Sequence, residues 1–385
     1  MVSRARKGVV SEWWWTVDRT ILAAALALLF VGVVGSIGTS SAVAVKIGVS
    51  PYHFTTKHLL FLALAVPVVI GVSMLSNLWA RRLAMVALLG AILALILTLF
   101  VAGEVKGAKR WIPLGFFTLQ PSEFVKPALV VACAWFFARE WFGRVPGAAI
   151  ATVIAVTVAG LLVLQPDIGQ TTLVLGAWGT LFFLSGVPMT WLGVLGGIFT
   201  SAAAAAYVTI PHVASRVDRF LTGSGDNFQV ERSIEAVLRG GWLGQGPGEG
   251  RVRKILPDSH TDFVFAAMTE EFGILAGIGL VAIFALIGWR ALVHAANEED
   301  TFRRLAVTGL AVVFVAQAFV NIGVSLRLLP TTGMTLPLVS YGGSSMIGCA
   351  FTIGLLLAFT RRNRSERARR TVQVTQLDRS AFVRA

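Results

Sequence analysis

The stretch ILAAALALLFVGVVGSI, from Ile21 to Ile37, carries no charged residue and is long enough to cross a bilayer as one helix. The hydrocarbon core of a bilayer takes about 20 apolar residues in helical form. Nine further runs of this kind follow, and together the runs predict ten transmembrane helices at 20–40, 58–76, 82–102, 123–141, 146–164, 169–186, 189–210, 263–293, 303–325 and 342–360. The chain is 56% hydrophobic and 14% charged, which is typical of an all-α polytopic integral membrane protein and excludes an ordinary soluble domain.

Basic residues are distributed unevenly between the two faces of this predicted bundle. An even number of spans places both termini on one side, and that side carries nineteen Lys and Arg residues. The other side carries six outside its one long loop. The positive-inside rule therefore predicts cytoplasmic termini. The net charge of +13 is then mostly a consequence of topology and does not predict nucleic-acid binding.

The longest connection, 211–262, lies between the seventh and eighth predicted spans on the extracytoplasmic side. Long structured loops are usually functional. We predict a cytoplasmic N-terminal segment at 1–19, a ten-helix domain at 20–360 and a basic cytoplasmic tail at 361–385. The run WWW at 13–15, directly before the first span, is typical of an aromatic anchor at the membrane interface.

The polar stretch LPDSHTD, 256–262, leads from the long loop into the eighth predicted span. Asp262 stands at this boundary, where a carboxylate between a wet loop and the bilayer can take a proton from a hydroxyl. The alternative is that Asp262, or Thr261 beside it, only caps the helix. His260 is a second candidate proton carrier, although a lone histidine more often only forms hydrogen bonds.

Two glutamates, Glu270 and Glu271, follow inside the same span, and charges there need partners. We expect those partners within the bundle, for example Gln317 and Asn321. The glycine-rich stretch 244–250 is followed by basic residues at 251–254 and has the composition of an anion-binding loop. The alternative is a flexible turn with solvated charges.

Three further polar stretches are candidates for a site. Glu123 and Lys126 are three residues apart at the start of the fourth span and are predicted to pair, either as a structural lock or facing a substrate. The turn QPDIGQ, 165–170, is either a simple turn with Asp167 as helix cap or part of the same outer cavity as Glu123. The segment 330–346 mixes glycine, proline and hydroxyl residues with apolar ones, which favours an irregular segment lining a site.

Taken together, these stretches resemble the SEDS family (shape, elongation, division and sporulation) of peptidoglycan polymerases, which includes FtsW and RodA. The matching pieces occur in family order: KGAKRWIPLG at 106–115, LQPSEFVK at 119–126, LQPDIGQ at 164–170, GGWLGQG at 240–246, LPDSHTDFVFA at 256–266, EEFG at 270–273 and LPTTGMTLPLVSYGGSS at 329–345. The first and last of these pieces are more similar to the division member FtsW than to the elongation member RodA.

The resemblance implies a ten-helix bundle with a large extracytoplasmic loop between helices seven and eight. It also implies polymerisation of lipid II on the outer face of the inner membrane, at the division septum. Asp262 would act as general base on the acceptor sugar, and undecaprenyl pyrophosphate would leave. Cations would stabilise that leaving group; Lys126, Arg110, the 251–254 cluster and a divalent ion (magnesium or manganese) are the candidates. The residues expected at the substrate are Arg110, Trp111, Gln120, Ser122, Glu123, Lys126, Gln165, Asp167, Gln170, His260, Thr261, Thr332, Ser340, Tyr341 and Ser344.

The implied partners are membrane lipids, a class B penicillin-binding transpeptidase that contributes one membrane helix, and other divisome proteins. A RodA-like polymerase of cell elongation is an alternative within the family. A lipid II flippase is an alternative from another class, because ten helices with intramembrane charges fit a transporter as well. Transporters often show internal repeats and helices broken at the midplane, whereas here no repeat is evident and the charges cluster at the outer end. A scaffold without catalysis leaves that polar cluster unexplained.

Overall fold

The structure is a computed structural model. It describes residues 8–46, 48, 50, 52–103, 108–115, 117–139, 146–186, 188–209, 214, 215, 218, 222 and 228–361. The first seven residues of the predicted N-terminal segment, most of 210–227 in the long loop and the tail beyond Arg361 lie outside the described residues.

Helices form most of the described chain. They are α1 (Val9–Thr16), α2 (Arg19–Lys46), α3 (His53–Met74), α4 (Asn77–Val101), α5 (Ser122–Phe137), α6 (Gly147–Leu164), α7 (Ile168–Leu184), α8 (Met189–Thr209), α9 (Phe228–Gly240), α10 (Val264–Ala296), α11 (Thr301–Ser325) and α12 (Gly343–Thr360). Between α4 and α5, strands β1 (Ile112–Pro113) and β2 (Thr118–Leu119) pair antiparallel, with Ile112 opposite Leu119.

Each of the ten apolar runs overlaps one helix, α2 to α8 or α10 to α12. Among the described residues, seven of these helices are long and apolar enough to cross a membrane by length and composition: α2, α3, α4, α6, α10, α11 and α12. The span count did not predict α1 or α9. A hydropathy search cannot detect α9, because only its Ser233, Ala236 and Gly240 face is buried.

The bundle is organised around α12, whose residues from Ser344 to Thr360 are buried apart from half-buried Ile347. A helix that is apolar on all sides belongs in the interior, and α12 packs against α3, α5 and α11.

The two ends of the bundle differ. At the start of α3, the Phe54 ring contacts His260 and Tyr341. At the other end of α3, the Trp13 indole of α1 donates to Ser73.

The helix α10 is broken at Gly273, where φ is 82° and ψ is 171°. The turn after α9 supplies hydrogen-bond partners to the backbone groups on either side of the break. Gln245 N–H donates to Glu270 O at 2.9 Å, and Ile274 N–H donates to Gly241 O at 2.9 Å. Backbone groups at membrane depth need such partners, because lipid offers none. The residues 240–246 are therefore docked into α10, and they bring residues 247–262 to the start of this helix.

Candidate functional site

A cavity of about 580 Å³ lies at the end of the bundle where α3 begins and α10 starts. This volume is in the range of small-molecule binding sites. Its polar lining includes eight of the sixteen residues predicted from the sequence: Arg110, Trp111, Gln120, Glu123, Thr261, Asp262, Thr332 and Tyr341. Lys57 and Asp258 also line it; the sequence reasoning did not single out Lys57, which lies in the first turns of α3.

Asp262 lines the cavity and does not cap α10. The helix begins at Val264, and its N-cap residue is Phe263, which forms no side-chain cap hydrogen bond. The cap alternative for Asp262 and Thr261 was therefore wrong. A tight turn precedes the helix, in which the N–H groups of Thr261, Asp262 and Phe263 all donate to Asp258 O at 3.0 to 3.2 Å. This turn directs Asp262 to the cavity wall.

Three successive carbonyl groups around Asp262 are held from outside this turn. Tyr341 N–H donates to His260 O at 2.9 Å, and Ser340 Oγ donates to Thr261 O at 2.6 Å. Asn321 of α11 donates through Nδ2 to Asp262 O at 2.8 Å and to Met334 O at 2.7 Å. The backbone that carries Asp262 is thus fixed to α11 and to the segment before α12.

The segment 326–342 has no helix or strand and lines the cavity through Thr331, Thr332, Gly333 and Thr335. This agrees with the irregular segment predicted from its composition. Gly333 adopts φ of +73°, and a Cβ placed there would lie 3.8 Å from Asp262 Oδ2. The segment therefore forms the wall opposite the Asp262 carboxyl.

Arg110 and Trp111 enter the cavity from the chain just before β1. Arg110 pairs with Asp167 at 3.5 Å and also donates to Pro166 O. Burial raises the pKa of the Asp167 carboxyl, and the Arg110 guanidinium acts in the opposite direction. Asp167 also caps α7, accepting from Gln170 N–H at 3.4 Å. Asp167 itself does not line the cavity, so its contribution is to orient Arg110.

Glu123 and Lys126 pair at 2.9 Å, as their spacing predicted. Lys126 Nζ also donates to Gln317 Oε1 at 2.6 Å, and Gln170 Nε2 donates to Glu123 Oε1 at 2.9 Å. Both charged side chains are 2% exposed, and breaking a buried pair of this kind is strongly destabilising. Glu123 reaches the cavity while Lys126 lies below it, so the pair forms the cavity floor.

Several predicted residues stand behind the lining. Gln165 Nε2 donates to Leu95 O at 2.9 Å and to Thr98 Oγ1 at 3.2 Å, which joins α6 to α4 and does not face the cavity. Ser344 Oγ donates to Thr118 O at 2.7 Å and accepts from Gln120 N–H at 3.0 Å, which holds the β-hairpin. Ser122 is buried in the first turn of α5.

An aromatic cluster lies beside the Asp262 turn. The His260 ring lies 4.9 Å from Phe54 and 5.7 Å from Tyr341 between ring centroids. Burial raises the pKa of the Tyr341 phenol above its ordinary value. The cluster packs the Asp262 turn against the start of α3.

The backbone directly after the glycine-rich stretch surrounds an anion, and that anion is the protein's own Glu270. The N–H groups of Arg251, Val252 and Arg253 each donate to its carboxylate at 2.8 Å. Arg253 also pairs with Glu271. The prediction of Gln317 and Asn321 as partners of these glutamates was therefore wrong, because residues 251–253 of the docked loop form hydrogen bonds and an ion pair with them.

The ion pair of Arg253 with Glu271 reduces the number of cations that could stabilise a leaving group. Arg253 is buried against Glu271, and Lys126 is held in the cavity floor. The cationic side chains that line the cavity are Arg110 and Lys57. Within the described part of the chain, no group of three or more His, Cys, Asp or Glu side chains is placed to hold a metal ion.

Comparison with known proteins places this geometry in a family. The family model described as "Cell cycle protein", named for FtsW, RodA and SpoVE, matches residues 18–365. The chain belongs to this family. The FtsW/RodA/SpoVE match includes every residue that lines the cavity.

Individual relatives of this family cover nearly the whole chain. The chain is 40% identical to the probable peptidoglycan glycosyltransferase FtsW of Caulobacter vibrioides, over 94% of this chain and 93% of the relative. A chain of a peptidoglycan synthase complex, studied for its structural coordination of polymerization and crosslinking, matches with a TM-score of 0.74 and 29% identity, over 90% and 98% of the two chains. The rod shape determining protein RodA of Thermus thermophilus matches with a TM-score of 0.67 and 28% identity, over 90% and 97%.

Proposed function

We propose that this chain is a peptidoglycan glycosyltransferase that polymerises lipid II on the outer face of the cytoplasmic membrane. The observation that carries the proposal is the position of Asp262, in the wall of a cavity that also presents Arg110 and Lys57. A base facing two cations is the arrangement needed to activate a hydroxyl and release a phosphate-linked sugar. Family membership and relatives named as peptidoglycan glycosyltransferases support the same activity.

Asp262 acts as the general base in this mechanism. The Asp262 carboxylate takes the proton of the acceptor 4-hydroxyl as the hydroxyl oxygen attacks the anomeric carbon of the lipid-linked donor. A base placed in this way contributes about 10² to 10⁴ in rate. The three hydrogen bonds to the carbonyls of residues 260–262 hold the base in place, so little reorganisation accompanies the proton transfer.

The bond between the anomeric carbon and the pyrophosphate oxygen breaks, and undecaprenyl pyrophosphate leaves with the electron pair. Arg110 and Lys57 supply the positive charge that this leaving group requires. Asp167 keeps the Arg110 guanidinium oriented. A divalent cation that accompanies the pyrophosphate would add to this charge.

The proposal extends to placement in the cell. We place ten helices, α2 to α8 and α10 to α12, across the inner membrane, with both termini cytoplasmic and the long loop and cavity outside. The stronger similarity to FtsW than to RodA supports a role at the division septum. A class B penicillin-binding transpeptidase is the proposed partner, supported by the structural match to a chain of a peptidoglycan synthase complex. Other divisome proteins follow from the septal role.

The test is polymerisation of labelled lipid II by the purified full chain with its transpeptidase partner. Asp262→Asn keeps the shape of the side chain and removes the base, so we expect product formation to fall by about 10² to 10⁴. Asp258→Asn is the matched control, because Asp258 lines the same cavity but holds the turn through its backbone carbonyl. Its activity should stay within tenfold of wild type.

Two outcomes contradict the proposal. Equal product from wild type and Asp262→Asn would show that Asp262 is not the general base. Absence of polymer from wild type, together with facilitated movement of lipid II across vesicles, would identify a transporter.

A further inference from the structure

The short helix α1 lies at the end of the bundle opposite the cavity. Its Trp13 indole points inward and donates to Ser73 Oγ at 2.9 Å. Trp14 and Trp15 point outward and are 46% and 61% exposed. The aromatic run predicted as one anchor is therefore divided: one indole attaches α1 to the bundle, and two are presented to the surroundings.

Arg19, the first residue of α2, covers the two exposed indoles. Its guanidinium carbon lies 5.1 Å from the Trp14 ring centroid and 4.8 Å from that of Trp15. Among the described residues no carboxylate forms an ion pair with Arg19. The neighbouring Asp18 carboxylate is bonded to Arg290 and His294, at 2.6 Å each. The positive charge of Arg19 is thus available on an aromatic surface.

Asp18 stays ionised in this arrangement. Burial acts to raise its pKa, but hydrogen bonds from His294, Ile21 N–H and Arg290 outweigh burial and hold the pKa below its ordinary value. Asp18 therefore pairs with Arg290 and His294, and no ion pair of Asp18 with Arg19 forms.

The exposed residues of α2 indicate the membrane depth of Trp14, Trp15 and Arg19. Leu26 and Phe30 are exposed further along the same helix, at 41% and 68%, as expected for side chains that contact acyl chains. At 1.5 Å per residue, Leu26 lies about 10 Å deeper than Arg19. Trp14, Trp15 and Arg19 therefore lie where the acyl chains meet the headgroups, the level at which indole rings concentrate.

We propose that Trp14, Trp15 and Arg19 form a binding site for an anionic phospholipid, in the leaflet at the end of the bundle opposite the cavity. The face of the guanidinium stacks on the indoles. Its Nε donates to Trp14 O at 3.4 Å, which leaves the two Nη groups in plane for a bidentate contact with the phosphate. The indoles cover the upper acyl chains. A soluble phosphate would leave this apolar area unused, so the site fits a lipid.

A second pair at the same end has the same construction. Trp79, at the start of α4, is 58% exposed, and the Arg82 guanidinium lies 5.0 Å from its ring centroid. The proposal depends on membrane insertion and not on glycosyl transfer, so the two proposals fail independently.

The experiment uses the full chain in phosphatidylcholine vesicles that contain a fixed fraction of phosphatidylglycerol brominated near the headgroup end of its acyl chains. A parallel set contains the same fraction of brominated phosphatidylcholine. Bromine quenches tryptophan fluorescence on contact, so the excess quenching by phosphatidylglycerol measures selective binding. Trp14→Phe with Trp15→Phe should lower this excess and leave only the part that Trp79 reports.

Substitutions of Arg19 separate charge from stacking. Arg19→Gln keeps both indoles and should lower the preference for phosphatidylglycerol about fivefold, since one basic residue near an anionic surface contributes about 1 kcal/mol. Arg19→Lys keeps the charge without the planar stack. Its preference for phosphatidylglycerol should lie between those of wild type and Arg19→Gln. Trp191→Phe is the matched control, because Trp191 is 57% exposed at the same end of the bundle, at the start of α8. It should leave the preference unchanged.

Three results would overturn the proposal. Equal quenching by the two lipids in wild type would mean a general interfacial anchor without a lipid site. Loss of the preference on addition of inorganic phosphate would mean a site for a soluble anion. Absence of any quenching change in the Trp14 and Trp15 variant would mean that protein covers these indoles.

Discussion

Asn321→Ala tests whether the backbone around Asp262 must be held for catalysis. Asn321 Nδ2 donates both to Asp262 O at 2.8 Å and to Met334 O at 2.7 Å, and the side chain is 1% exposed. The substitution leaves two carbonyl oxygens without this donor. A buried acceptor that loses its partner costs about 1–3 kcal/mol, so for two acceptors a total of about 2–6 kcal/mol favours movement of the 260–262 turn away from the 330–342 segment.

This free energy predicts the kinetic effect. Two other bonds, from Ser340 and Tyr341, remain and limit the movement. A displacement of about 1 Å in a reacting group can lower the rate about 100-fold, and we expect kcat for lipid II polymerisation to fall by about 10- to 100-fold, at 1.4 kcal/mol per tenfold. KM should change little, because Asn321 does not line the cavity.

The matched control is Asn297→Ala. Asn297 Nδ2 donates to one backbone carbonyl, Val293 O, at 2.7 Å, at the far end of α10. It should leave kcat within twofold of wild type. Wild-type kcat in Asn321→Ala, with thermal unfolding showing that the hydrogen bonds had been lost, would contradict this role of Asn321. A change in KM alone would contradict it as well.

Further substitutions test other parts of the structure. Gly273→Ala should lower the melting temperature, because a non-glycine residue at φ of 82° and ψ of 171° costs about 1–3 kcal/mol and its Cβ would collide with the Trp242 carbonyl. Gly279→Ala meets no atom within 4 Å and should be tolerated. Arg253→Met leaves the Glu271 carboxylate buried without its partner and should cost about 3–5 kcal/mol, and adding Glu271→Gln should recover part of that loss in the same thermal assay. Because burial raises the pKa of Asp167 above the ordinary 3.8, the folded protein binds a proton there more readily than the unfolded chain. This contribution to stability is complete below pH 3.8 and is lost as pH rises through the raised pKa, so Asp167→Asn should flatten that part of the curve of melting temperature against pH; an unchanged curve would contradict the assignment.

Much of the architecture follows from local patterns along the chain. Each apolar run coincides with a helix because a helix satisfies its own backbone within the bilayer, whatever its neighbours are. The Glu123–Lys126 pair also follows from spacing alone, since residues three apart on a helix are neighbours. Asp262 was identifiable from its place between the polar loop and an apolar run, together with the resemblance of its surroundings to a known family.

Local sequence patterns were enough to predict the ten apolar helices, their order and the residue types at the mouth of the bundle, because these depend on periodicity and hydropathy over short distances. The pairings between distant residues depend on the tertiary fold. Glu270 meets the N–H groups of residues 251–253, and Asn321 holds Asp262 instead of a glutamate. These choices depend on the break at Gly273, which lets a loop dock into α10 and occupy the glutamates. Hydrogen bonds between residues far apart in sequence are set by which helices become neighbours, and no local pattern encodes that.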